Sequence, residues 1–117
     1  MNVITEIAFL GKLVKVIIDR PIKSRHPKFG YVYELNYGFI PNTLANDGME
    51  VDAYVIGEEN PLKEFEGIVK AIIIRENDVE NKLIVTHPDY GLTITEVKQK
   101  TFFQEQFFDI KIRFLKS

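Results

Sequence analysis

The sequence predicts a mainly β protein of the α+β kind, a small closed or nearly closed barrel with one C-terminal helix. Short β-branched runs alternate with polar turns along most of the chain, as in barrels whose strands are joined by tight connections. A helix-start signature stands near the C-terminus, Thr93-Ile94-Thr95-Glu96, in which the threonine oxygen accepts from the third helical amide and the glutamate reaches back. With 45% hydrophobic and 27% charged residues, the chain can bury a core and lacks the signature of disorder. Its 117 residues fit one domain, residues 1–117, without staples.

Taken in order, Ile4 to Leu10 is apolar but broken by Glu6, and reads equally as a short strand or a helical turn. Lys12 to Ile18 is β-branched and partly alternating, which predicts a strand with its lysines on the wetter face. It delivers Asp19 and Arg20, and Pro21 stops it. Pro21 to Gly30 is a loop with a basic cluster, Lys23, Arg25, His26 and Lys28, either a phosphate lip or a solvated surface. His26 and His87 each precede a proline, which favours extended backbone, and two distant histidines are no metal signature. Tyr31 to Leu35 and Val51 to Ile56 are predicted strands flanking a central loop. Gly67 to Ile74 is the most hydrophobic run and is expected to be central and covered on both sides. Asn77-Asp78 turns the chain into Lys82 to Val85, making a hairpin. A helix from about Ile94 to Phe108 follows, and Asp109 to Phe114 alternates as a final strand. The pairs Phe102-Phe103 and Phe107-Phe108 cannot all face one way on that helix. Its apolar stripe either packs on the open side of the barrel or forms an oligomer contact.

The central loop is the chemically dense stretch. Asn36-Tyr37-Gly38-Phe39-Ile40-Pro41 leads to Asn46-Asp47-Gly48-Met49-Glu50-Val51-Asp52, where three carboxylates fall within six residues. Asp47-Gly48 is a turn dipeptide, so the carboxylates stand at the mouth of a strand. Hard cations such as Mg²⁺ take carboxylate, water and phosphate oxygens, which makes Asp47 and Asp52 a candidate half-site. A charged turn capping a hairpin is the simpler reading of the same residues.

A net charge of −2 and an isoelectric point near 5.7 give no global basic field for nucleic acid or an anionic membrane. Any anion site must be local. There is no cysteine, which excludes disulfides, thiolate metal sites and thiol nucleophiles and fits the cytoplasm. The N-terminus shows no signal-peptide pattern and no apolar run approaches a membrane span. A soluble, unprocessed, cytoplasmic chain is expected, folding alone or as a homo-oligomer.

Four segments, in order, resemble the soluble family I inorganic pyrophosphatases: Asp19-Arg20, Tyr33-Glu34-Leu35-Asn36-Tyr37-Gly38-Phe39-Ile40, Asp47-Gly48-x-x-Val51-Asp52, and Glu80-Asn81-Lys82-Leu83. The resemblance runs from about Val14 to Val85, and the second and third segments are its most specific parts. It implies an OB-like barrel of the pyrophosphatase type, Mg²⁺ as cofactor, and hydrolysis of inorganic pyrophosphate to two phosphates. It also implies that Asp47, Asp52 and Glu80 ligate the metal, that Arg20 and Lys82 bind phosphate, and that Tyr37 serves binding and catalysis as a phenol near the metals. Arg20 can grip a phosphate bidentately, Lys82 offers a point charge, and Tyr37 can donate to an oxyanion. Each also has an ordinary reading: Arg20 paired with Asp19 or Glu34, Lys82 solvated on a hairpin, Tyr37 in the core.

The resemblance has gaps. Where the family carries the acidic residue associated with activating the nucleophilic water, this chain has Met49, and a thioether neither ligates Mg²⁺ usefully nor takes a proton. Glu50 is the candidate catalytic replacement, although neighbouring side chains on extended backbone point to opposite faces. The family's acidic residue ahead of the Glu80 position falls on Arg75, with Glu76 and Asp78 as substitutes. Its N-terminal Lys-x-Glu strand has no clear counterpart, and its helical Tyr-Lys pair falls on Gln106 and Phe107. Two rival functions follow: a catalytically weakened relative that binds a phosphate-bearing ligand, and an oligonucleotide-binding barrel, which the acidic balance argues against.

Overall fold

The computed structural model describes residues 5–45, 47–78 and 80–115. After a 3₁₀ turn at Thr5–Phe9, the chain forms β1 (Leu13–Arg20), β2 (Asn36–Ile40), β3 (Val51–Val55), β4 (Glu64–Arg75), β5 (Asn81–Thr86), α1 (Ile94–Glu105) and β6 (Ile110–Phe114). The opening segment is thus helical rather than extended, with Ile4 outside the described residues. No helix among the described residues is long and apolar enough to cross a membrane.

The strands follow the order β1-β2-β3-β5-β4-β6, and a further β1–β4 pairing closes the first five into a barrel. All neighbours are antiparallel except β3 and β5. Closure depends on the length of β4, whose 12 residues serve two partners along one edge. Its first half, Glu64 to Ile68, pairs with β1, and its second half, Ala71 to Arg75, pairs with β6. The strand buried along its whole length is β5, whereas the first half of β4 alternates between exposed and buried.

Side-chain parity sorts the sheet into two layers. Val16, Ala53, Val55, Leu83 and Val85 point into the barrel. Tyr54, Ile73 and Ile84 point outward and meet Val97 and Phe103 of α1. The helix begins where the capping signature placed it, with Thr93 Oγ1 accepting from the Glu96 amide at 3.1 Å. The Glu96 carboxylate instead takes the Tyr90 hydroxyl and Lys100. The helix stops at Glu105, short of Phe108, and of its phenylalanines Phe103 is buried while Phe102 is exposed.

The expected strand at Tyr31 to Leu35 is displaced. Tyr31 and Tyr33 have the aromatic alternation of a strand, but their backbone pairs with the preceding loop: Lys23 N–H donates to Tyr33 O at 2.7 Å and His26 N–H to Tyr31 O at 2.8 Å. The barrel strand is Asn36–Ile40, part of the stretch expected as loop. Asn36 anchors it, its amide oxygen accepting from Ile22 N at 3.0 Å and Leu62 N at 3.1 Å. Gly38 then permits a close approach to β1, since a Cβ there would fall 1.8 Å from the Ile17 carbonyl oxygen. At this point the β1–β2 register shifts between Ile18 and Arg20, which sets Arg20 beside Tyr37.

Because the obstructing atom is backbone, Gly38→Ala must part the two strands, and it is expected to lower unfolding free energy by about 1–3 kcal/mol. Urea denaturation measures this. A wild-type midpoint would show that the strands do not depend on the missing side chain.

Candidate active site

The parity that sends Ala53, Val55, Leu83 and Val85 inward turns Asp52 and Lys82 outward, and parallel pairing places them side by side. Lys82 is almost fully buried, a costly position for an ammonium unless it is paired. Its Nζ donates to Asp52 Oδ2 at 2.6 Å, Glu80 Oε2 at 2.7 Å and the Tyr37 hydroxyl at 2.8 Å. A solvated Lys82 is thereby excluded, whereas Tyr37 does both: its hydroxyl joins the polar cluster and its ring packs on Tyr33 and Tyr54 against the outer core. Burial, reinforced by the Asp52 charge, pushes the Tyr37 phenol well above its ordinary pKa, so it remains a donor.

Glu80 is the hinge to a second cation. The same Oε2 accepts from Arg75 Nη1 at 3.3 Å, while Arg75 Nε and Nη2 grip both oxygens of Glu105 at 2.9 and 2.7 Å. The guanidinium also lies over the Phe108 ring, 3.7 Å from its centroid. Burial works against the Arg75 charge, but the Glu105 hydrogen bonds and charge outweigh it and hold the group above its usual range. Glu105 Oε2 also accepts from Tyr54 at 2.6 Å. Gln104 continues the chain, donating to the Tyr54 oxygen at 2.6 Å and accepting from Tyr31 at 2.8 Å and Tyr33 at 2.9 Å. Among the described residues no buried side-chain nitrogen or oxygen lacks a partner.

These groups border a cavity of about 780 Å³. One side carries Asp19, Arg20, Asp52, Arg75, Glu80 and Lys82, and another carries aromatic rings that include Phe29, Tyr31, Tyr33 and Phe107. Among the described residues Arg20 forms no ion pair with Asp19 or Glu34; its Nη1 donates to the Asp19 backbone oxygen at 3.1 Å, and the residue lines the cavity. Burial lifts the Asp19 carboxyl above its ordinary range, with Arg20 opposing the rise and the Asp52 charge adding to it.

The structure thus brings together Arg20, Tyr37, Asp52, Glu80 and Lys82. Asp47 and Glu50 stand on the exposed turn before β3 and do not line the cavity; Asp47 Oδ1 accepts from the Met49 amide at 3.0 Å. Of the basic loop only His26 reaches the cavity, where its ring stacks on Phe29. Sequence reasoning did not select Gln104 and Glu105. Their signal was helical spacing, since Val97, Thr101, Gln104 and Glu105 form one buried face of α1.

The sequence profile of the family described as inorganic pyrophosphatase matches residues 5–109. The chain belongs to the inorganic pyrophosphatase family. The inorganic pyrophosphatase of Rhodospirillum rubrum is 39% identical over 61 residues, covering 49% of this chain and 34% of that protein. That of Caulobacter vibrioides is 41% identical over 61 residues, with the same two shares, 49% and 34%. The matched stretch therefore spans about a third of the length of these curated relatives. The crystal structure of inorganic pyrophosphatase from Ehrlichia chaffeensis superposes with a TM-score of 0.71 at 19% identity, over 91% of this chain and 88% of that one. That from Thermus thermophilus gives 0.60 at 23% identity, over 89% and 83%. These structural likenesses establish the fold.

Membership in the pyrophosphatase family implies a divalent metal cofactor. Among the described residues no three acidic or histidine side chains form a ready-made cage. Mg²⁺ does not require one, because it is commonly held by one or two carboxylates, waters and substrate phosphates. Asp52 and Glu80 supply such hard donors, and they already converge on one cation, the Lys82 ammonium.

Two outcomes follow from this network. Arg75→Met leaves Glu105 buried and unmatched, which should cost about 3–5 kcal/mol in denaturant unfolding, and adding Glu105→Leu should recover much of the loss. Additive losses would show that the pair is not coupled. The second concerns the five tyrosines, all of whose phenols are raised above 10.0: burial is the leading cause for four, and the hydrogen bond to Glu96 for Tyr90. The folded state then keeps protons that the unfolded chain loses, so these groups lower stability as pH rises above about 10 and leave it unchanged below. Phenolate absorbance of the native protein should lag behind that of the unfolded chain; coincident titrations would contradict the raised values.

Proposed function

We propose that this chain is an inorganic diphosphatase of the cytoplasm that hydrolyses pyrophosphate to two phosphates with Mg²⁺. The observation that supports this most is the convergence of Asp52, Glu80, Lys82 and Tyr37 beside Arg20 in one cavity. Asp52 and Glu80 would hold the metal, which when bound neutralises phosphate oxygens as a Lewis acid. Arg20 presents its planar fork of donors to a terminal phosphate. Lys82 adds a buried point charge, and Tyr37, protonated, donates to an oxygen that gains charge in the transition state. The Lys82–Tyr37–carboxylate network holds these groups together before substrate arrives, and because all three Nζ donors are already taken, Lys82 acts on the phosphate through its charge.

Phosphate release from pyrophosphate, with Mg²⁺ and with chelator, tests the reading. Arg20→Ala and Lys82→Met are each expected to lower kcat/KM by about 10²-fold, and Asp52→Asn to raise the Mg²⁺ needed for half-maximal rate. Asp47→Asn and Glu50→Gln, outside the cavity, should change kcat by less than about threefold. An equal loss at Asp47 or Glu50 would move the metal site and the water-activating carboxylate to the turn. Binding without phosphate release would favour the non-catalytic relative.

A further inference from the structure

The cavity is larger and more aromatic than an inorganic diphosphate requires. Its volume of about 780 Å³ lies among pockets that enclose drug-sized organic ligands, roughly 300–1,000 Å³. A diphosphate at Arg20 and Lys82 would contact the charged side and leave the aromatic side unused. Phe29 and Phe107, both on that side, are 68% and 62% exposed. Together with the half-buried Tyr31 they form an exposed apolar patch, although His26 stacks on Phe29 and Lys28 lies over its ring. The rings are nevertheless held in order. Phe29 and Tyr31 lie 9° from parallel with centroids 6.5 Å apart, and Phe107 is 6.0 Å from Tyr31. His26 fixes the Phe29 turn by accepting the Lys28 and Phe29 amides at its Nδ1, each at 3.1 Å. Tyr31 is tied by its hydroxyl to Gln104.

Charge admits an anion with an organic tail once a divalent ion is bound. The cavity carries three basic groups, Arg20, Arg75 and Lys82, against three acidic ones, Asp19, Asp52 and Glu80. A divalent ion would tip this balance positive at the charged side alone. We infer that the site takes a nucleoside phosphate or diphosphate, its phosphate at Arg20 and Lys82 and its base stacked on the rim of Phe29, Tyr31 and Phe107. This rests on the phosphate site proposed above and gives that site a second ligand besides pyrophosphate, one with an organic portion.

Calorimetric titration with AMP and with ribose 5-phosphate, both in Mg²⁺, isolates the contribution of the base. AMP is expected to bind at least about tenfold more tightly, and Phe29→Ala and Phe107→Ala each to reduce that advantage by about fivefold or more. Equal affinities in the wild type, or an advantage that survives in both variants with melting temperatures unchanged, would overturn the inference. Pyrophosphate hydrolysis, measured in parallel, separates the two readings. Turnover with no preference for AMP removes only the base site, and ring-dependent AMP binding without turnover removes only the hydrolase assignment.

Discussion

Two buried cations govern this molecule. Lys82 and Arg75 both have the parity that turns them outward from the barrel, and both are buried although they border the cavity. An unpaired charge in such a place would unfold a domain of this size or lose its charge. Their surroundings are therefore constrained. Asp52 must occupy the neighbouring strand in register, Glu80 must return from the β4–β5 turn to reach both, and α1 must end with Glu105 facing the sheet. Part of the buried face of α1 is polar for this reason, and the side chains of Thr101, Gln104 and Glu105 are all hydrogen-bonded.

The barrel was legible in the sequence because strand patterns and the cap at Thr93 are local signals. So were Arg20, Tyr37, Asp52, Glu80 and Lys82, which lie on segments resembling the family and meet in one cavity. Two kinds of feature were not legible. Tyr31 to Leu35 has the propensity of a strand but is drawn into a hairpin with residues 23–26, while Asn36–Ile40, with a glycine at its centre, forms the barrel strand. Here tertiary pairing overrode propensity. The partners of Arg75 were hidden for a different reason: Gln104 and Glu105 are distant in sequence, and polar residues late in a helix ordinarily read as its solvent face.

The aromatic side follows from the same hairpin. By pairing residues 23–26 with 31–33, the chain lifts Phe29 to a tip above the cavity and sets Tyr31 and Tyr33 where their hydroxyls meet Gln104. One glutamine side chain thereby links the aromatic side to Tyr54 and through it to Glu105. The stacking surface and the charged floor are joined by hydrogen bonds, so the position of one constrains the position of the other.

Arg75 shows how a family site can change sign locally and remain folded. Its position corresponds by spacing to an acidic residue in the resembling family, and a positive charge next to Lys82 would by itself be repulsive. Three carboxylates surround it: Glu105 bidentately, Glu80 at 3.3 Å and Asp78 at 3.6 Å. Glu80 is shared with Lys82 through one oxygen, so the guanidinium and the ammonium are bridged rather than opposed. The helix thus supplies at Glu105 a carboxylate facing the position where the strand carries a cation. With the helix included, an internal ion pair stands at this position, on the border of the cavity proposed to hold phosphate. Arg75 and Glu105 are for that reason coupled: substituting either alone leaves a buried charge unmatched and lowers stability, whereas replacing both removes the mismatch.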